Sequence, residues 1–200
     1  VVSADARSEV SIGTGGTKIL DGVKLRLGDD GETGSHVWDG GSLFLANGAR
    51  MAVDGFLTLN GDRLLDLSGA VTTQALELSS DGSLRLADDA IGDGSTVTID
   101  VPFLNGADGS GIGTGVSTGT GVTLALTRGG TQAGRIDTGD GGLLRFGGGT
   151  HVLAAGADLA FADVELTGTT LTVATGTPST PNVEILGSLL WSNGTVDVGS

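Results

Sequence analysis

The side chains able to do chemistry in this chain are mostly carboxylates, and many of them sit beside glycine. Asp21-Gly22, Asp54-Gly55, Asp81-Gly82 and Asp108-Gly109 repeat one dipeptide, and adjacent acids occur at Asp29-Asp30 and Asp88-Asp89. Hard oxygen ligands carried on turns suit calcium. That makes Asp29, Asp30, Asp88, Asp89, Asp93 and Asp108 the candidate metal ligands. The same dipeptides have a simpler use as turns, since Asp hydrogen-bonds nearby backbone and Gly supplies positive φ. The nonapeptide GGxGxDxUx of calcium-loaded β-rolls is absent, and Asn105-Gly-Ala-Asp108-Gly-Ser-Gly only approaches it. These acids therefore read first as turn residues, with incidental calcium as the sharper alternative and no cofactor expected.

Other chemistries find less support. Glycoside hydrolysis needs two carboxylates at a set separation, and a chain rich in Asp always offers some such pair. The ten basic residues are spread singly along the chain. Arg26 lies between Leu25 and Leu27, and Arg85 between Leu84 and Leu86, so both read as solvated side chains on the outer face of a strand. His36 and His151 are far apart, each beside a strand pattern, and read as surface or turn residues. No Ser/His/Asp set can be singled out. The clusters Gly13-Thr-Gly15-Gly16 and Gly111-Ile-Gly113-Thr-Gly115 complete neither a dinucleotide fingerprint nor a phosphate loop, and no helix pattern follows them. Thr residues do not recur at a fixed step, so they read as β-branched strand residues. Trp191 reads as core rather than as a sugar-stacking platform. The expectation is a protein that is not an enzyme.

The elements that must position these residues are short. Leu144/Phe146, Leu159/Phe161, Val164/Leu166 and Leu171/Val173 are apolar pairs with one residue between their members. That is the period of a strand, and Gly interrupts too often for helices. The pairs also recur. Leu25, Leu45, Leu65, Leu84, Phe103, Leu124, Leu144, Val164 and Val183 form one series with steps of nineteen to twenty-one residues. Shorter series run through Val37, Leu57, Leu76 and Val97, and through Val152, Leu171 and Leu190. Coils of about twenty residues, each two or three strands with their turns, would stack in this way. The fold class expected is all-β: a parallel β-helix (β-solenoid), right-handed because the strict six-residue repeat of the left-handed type is missing. Residues 1–200 then make one solenoid of about ten coils. A Gly-rich irregular coil or loop falls at 104–121, and a turn at 176–181.

Composition sets further limits. A net charge of −14 argues against nucleic acid and against anionic lipid surfaces, and no run of some 20 apolar residues spans a membrane. The absence of Cys removes disulfides and thiol chemistry. Aromatics are only 4% and Tyr is absent, so a core must come from many small aliphatic contacts in layers. The chain begins Val-Val-Ser without Met, which suggests a processed protein or an excised piece.

Three phrases carry a resemblance: Gly15-Gly-Thr-Lys-Ile-Leu-Asp-Gly22, Phe146-Gly-Gly-Gly-Thr-His-Val-Leu-Ala-Ala-Gly-Ala-Asp-Leu159 and Trp191-Ser-Asn-Gly-Thr-Val196. They resemble the loose repeats of large bacterial secreted and surface proteins, such as autotransporter passengers and filamentous-haemagglutinin-like adhesins. The resemblance implies an extracellular or cell-surface location and a structural, non-catalytic role as adhesin shaft, spacer or fibre unit. It brings no catalytic residues. The expected partner is a second copy stacked end to end, or the continuation of a longer chain, with surface glycans possible. The alternatives are a carbohydrate-binding or polysaccharide-cleaving β-helix and a trimeric phage-fibre segment.

Overall fold

Alternation of apolar and polar residues produces strands throughout, and among the described residues every regular element is a strand. The computed structural model describes residues 2–4, 11–12, 16–28, 35–68, 74–79, 81–87, 94–106, 115–174 and 181–198. The strands fall into three rows. The first row contains β1 (Val2–Ala4), β4 (Lys24–Leu27), β7 (Arg50–Val53), β10 (Ala75–Leu78), β13 (Phe103–Asn105), β16 (Gly130–Gln132) and β19 (Thr150–Leu153). The second contains β2 (Ser11–Ile12), β5 (Ser35–Trp38), β8 (Phe56–Asn60), β11 (Ser83–Ala87), β14 (Gly115–Thr118), β17 (Arg135–Thr138), β20 (Asp158–Phe161) and β22 (Asn182–Ile185). The third contains β3 (Thr17–Asp21), β6 (Ser42–Ala46), β9 (Arg63–Ser68), β12 (Thr96–Asp100), β15 (Thr123–Leu126) and β18 (Leu143–Gly147). Two long strands, β21 (Asp163–Val173) and β23 (Leu189–Val198), run through both the third and the first row.

As far as β20 the neighbours within each row are three strands apart in sequence; beyond it the long β21 serves two rows and the step falls to two, and every pairing is parallel. The chain visits the rows in turn and returns each time one strand further along. This all-β arrangement of long parallel sheets fits a β-helix.

A twenty-residue step holds among the later coils, where Val116 pairs with Ile136 and Thr150 with Thr170. Leu124, Leu144 and Val164 are directly in register on adjacent strands. Elsewhere partners are further apart: Thr17 with Ser42, Phe103 with Gly130, and Arg63 with Val97, which are 34 residues apart. Earlier members of the expected series lie in different rows. Leu25 pairs with Met51 in the first row, Leu45 with Leu20 in the third, and Leu84 with Leu57 in the second. The reason is that connections between rows differ in length while the strands do not. A fixed step then carries the count from one row into another.

Inward positions form an apolar interior. Leu27, Leu45, Leu84, Leu86, Phe103, Leu124, Leu144 and Leu159 have essentially no exposure. Each such side chain contributes about 1.5–3 kcal/mol when removed from water, and each rests on its counterpart in the next coil. Trp38 belongs to this core, and its indole N–H donates to the Gly40 carbonyl at 2.7 Å. The corner between β6 and β7 shows how the turns close. Asn47 and Gly48 both have positive φ, and the Ala49 N–H donates to the Ala46 carbonyl at 3.0 Å, the geometry for which Asn-Gly is favoured.

The two histidines depart from expectation. Both lie within strands and are fully buried. His36 pairs in register with Leu57, and His151 with Gly130 and Leu171. Their neighbours alternate with them, so the inward phase of the strand carries them into the core. Of the irregular segment 104–121, Asn105 and Val116 are buried in ladders, while 107–114 lies outside the described residues, as does most of the turn expected at 176–181.

Candidate functional site

Stacking gathers outward side chains that are remote in sequence. On the first row Glu77 accepts from Lys24 at 3.2 Å and from Arg50 at 2.5 Å, and Arg26 pairs with Asp54. Lys24, Arg26, Asp54, Glu77 and Leu104 line a depression of about 450 Å³. Stacking thus gathers Lys24, Arg26 and Arg50 on one row, and Arg26 is an ion-pair partner rather than simply solvated. Arg50 and Glu77, and Arg26 and Asp54, are about one coil apart and Lys24 and Glu77 about two, and half or more of each basic side chain is covered. Pairs this exposed are worth about 0–1 kcal/mol each.

The third row carries two aspartates on adjacent strands in register, Asp66 and Asp100. Arg128 donates to both oxygens of Asp100, at 2.8 and 3.2 Å, and the Thr127 hydroxyl donates to one of them. Burial works against ionisation of Asp100, but bonds to Arg128 and Thr127 and the contact with Asp66 outweigh it, and its pKa is lowered. A carboxylate held in this way stays charged at neutral pH and offers no proton to a leaving group. Further along, Arg145 donates to Glu165 at 2.7 Å across the ladder, and that bond holds Glu165 below its usual range.

In the interior, His151 stands edge-on to Phe146, with ring centroids 4.8 Å apart. Neither of its ring nitrogens makes a hydrogen bond of good geometry. Burial lowers its pKa, against the opposing pull of the Gly147 and Gly148 backbone.

The calcium candidates Asp29, Asp30, Asp88, Asp89, Asp93 and Asp108 all lie outside the described residues. Among the described residues no group of three or more His, Asp and Glu side chains is placed to hold a metal ion.

A groove of about 730 Å³ crosses the outside of the second row, lined by Ser35, Phe56, Thr58, Arg85, Ser117 and Thr118 among others. Arg85 is exposed there, as its sequence position suggested.

The strongest departure from a closed core is the last described coil. Of eight exposed large hydrophobics among the described residues, six fall between Val183 and Val198, so the exposure is concentrated at one end. These are not all surface positions by register. Val183 pairs with Leu159, Leu189 with Val164, Trp191 with Leu166 and Val198 with Val173. Leu159, Val164 and Leu166 are buried, yet Trp191 one strand later is 51% exposed. Trp191, expected in the core, is thus exposed, although its register over the buried Leu166 is that of an inward position. β22 and β23 also end their rows, and their outer backbone edges pair with no strand among the described residues. Compared with family models, curated proteins and solved structures, the chain matches none.

Proposed function

We propose that the protein is a structural β-solenoid module of the cell surface or extracellular space, non-catalytic, that associates end to end. The observation that carries this reading is the last coil, whose core-phase residues Val183, Leu189, Trp191 and Val198 are exposed. A ladder that ends on apolar side chains and a bare strand edge is a template for another strand layer. The occupant is either the next coil of a longer chain or the opposite end of a second copy. There β1, β2 and β3 terminate the same rows and so offer parallel strands to parallel strands. Such a contact joins unlike ends, so it propagates as a filament rather than closing as a dimer. The outward face supports the same reading, since Glu77, Asp100 and Glu165 are engaged in ion pairs along the stack. In this reading the solenoid is right-handed, as parallel crossovers overwhelmingly are. It is continuous over residues 1–200, with coils lengthened at their corners from a base of about twenty residues.

Sedimentation across a hundredfold range of concentration, with electron microscopy of the same samples, tests it. Concentration-dependent growth into rods of unbranched outline is expected. A constant monomer mass with isolated short rods overturns it, and a discrete trimer would point instead to a laterally assembled fibre.

A further inference from the structure

The groove on the second row has a different chemistry from the rest of the exterior. Lys24, Arg26, Arg50, Arg128, Arg135 and Arg145 each reach a carboxylate. Arg85 does not. Its neighbours on the adjacent strands, in register, are Thr58 and Ser117, and among the described residues no carboxylate pairs with it. The next acid in that column, Asp137, lies beyond Ser117 and is held by Arg135 at 2.7 Å. Among the described residues Arg85 therefore has no ionic partner, in a groove lined by hydroxyls, on a protein of net charge −14. Phe56 lies two residues before Thr58, on the same face of β8, and is only partly buried.

These groups match one ligand class. A guanidinium takes a carboxylate through two parallel N–H···O bonds. An aromatic face takes the apolar face of a ring. Serine and threonine hydroxyls both donate and accept, which suits a polyol. A peptide fits less well, because the groove lies on the face of a sheet and offers no free backbone edge for strand addition. We propose that the outer face of the second row binds an acidic oligosaccharide. Its carboxylate sits on Arg85, a sugar ring lies against Phe56, and its hydroxyls meet Thr58, Ser117 and Ser35.

Calorimetric titration of the intact protein with a uronate hexasaccharide tests this, beside a neutral hexasaccharide and a polyglutamate of equal charge. The uronate is expected to bind at least tenfold more tightly than either comparison. Arg85→Gln should weaken it roughly 10- to 100-fold, the range for a lost charge-assisted contact, and Arg85→Lys should fall between. Phe56→Ala should weaken binding without changing its dependence on salt, since the contact it removes is uncharged. Absence of heat with the uronate, or unchanged affinity in Arg85→Gln, overturns the proposal. Polyglutamate binding as tightly as the uronate, with no effect of Phe56→Ala, overturns it in favour of simple charge attraction. The groove and the last coil share no residue, so failure here leaves end-to-end association untouched.

Discussion

Replacing Trp191 by Ser gives the sharpest test of the open coil. Trp191 is 51% exposed and stands in register over Leu166. A tryptophan buries up to about 250 Å² when enclosed, so about half of that remains for a docking coil to cover. At about 25 cal/mol per Å² this is roughly 3 kcal/mol of association free energy, or about a hundredfold in the dissociation constant. Leu190 supplies the control. It is next in the chain and similarly exposed at 58%, but it pairs with Glu165 and so faces outward. Leu190→Ser should leave association within a factor of about three, because an outward side chain contributes little to the stacked layer. Sedimentation velocity on both variants and the parent reads the difference directly. Equal effects from the two substitutions, or none from Trp191→Ser in a protein that does associate, would refute the assignment of the inward face as the contact.

Other outcomes follow from single positions. Gly130 has φ +137°, and a Cβ there would fall 2.0 Å from the Phe103 carbonyl oxygen. Gly130→Ala should therefore cost more than about 3 kcal/mol in urea unfolding, whereas Gly121→Ala, with φ +72° and open space around it, should cost about 1–2 kcal/mol. Because burial keeps His151 below its ordinary pKa, the native state binds fewer protons than the unfolded chain once the pH falls below about 6.5. Stability should then be full above that pH. On acidification it should decline by up to about 1.4 kcal/mol per pH unit until the folded pKa is reached, and His151→Leu should remove that portion of the slope. Leu144→Ala, at a fully buried ladder position, should cost about 2–5 kcal/mol. Arg145→Met should cost less than about 1 kcal/mol despite its 2.7 Å bond to Glu165, since that pair is exposed.

Strand identity and inward phase were legible because both depend on neighbours two residues apart. Leu144/Phe146 and Leu159/Phe161 alternate in sequence and are buried as pairs. Register between coils was legible only where connections are short and equal, as from Leu124 to Val164. Where corners carry extra residues, the partner of a given side chain depends on loop length, which periodicity does not encode. The clusters at Glu77 and at Asp100 were hidden for that reason, since their partners lie 27 or 28 residues away and elsewhere 53. His36 and His151 were misplaced because polar residues are usually exposed, although the inward phase of their own strands places them in the core.

The uneven spacing of partners has a mechanical meaning. Ladder bonds between parallel strands lie along the stacking direction, so tension applied between the ends peels coils away one at a time. Each coil adds only about 4.8 Å to the folded length. Once released, 20 residues extend to roughly 70 Å and 34 to roughly 120 Å. Under load the molecule would lengthen in discrete jumps of unequal size, smallest through the Leu124–Val164 region and largest between Arg63 and Val97. It would behave as a tether that yields in graded steps before it breaks.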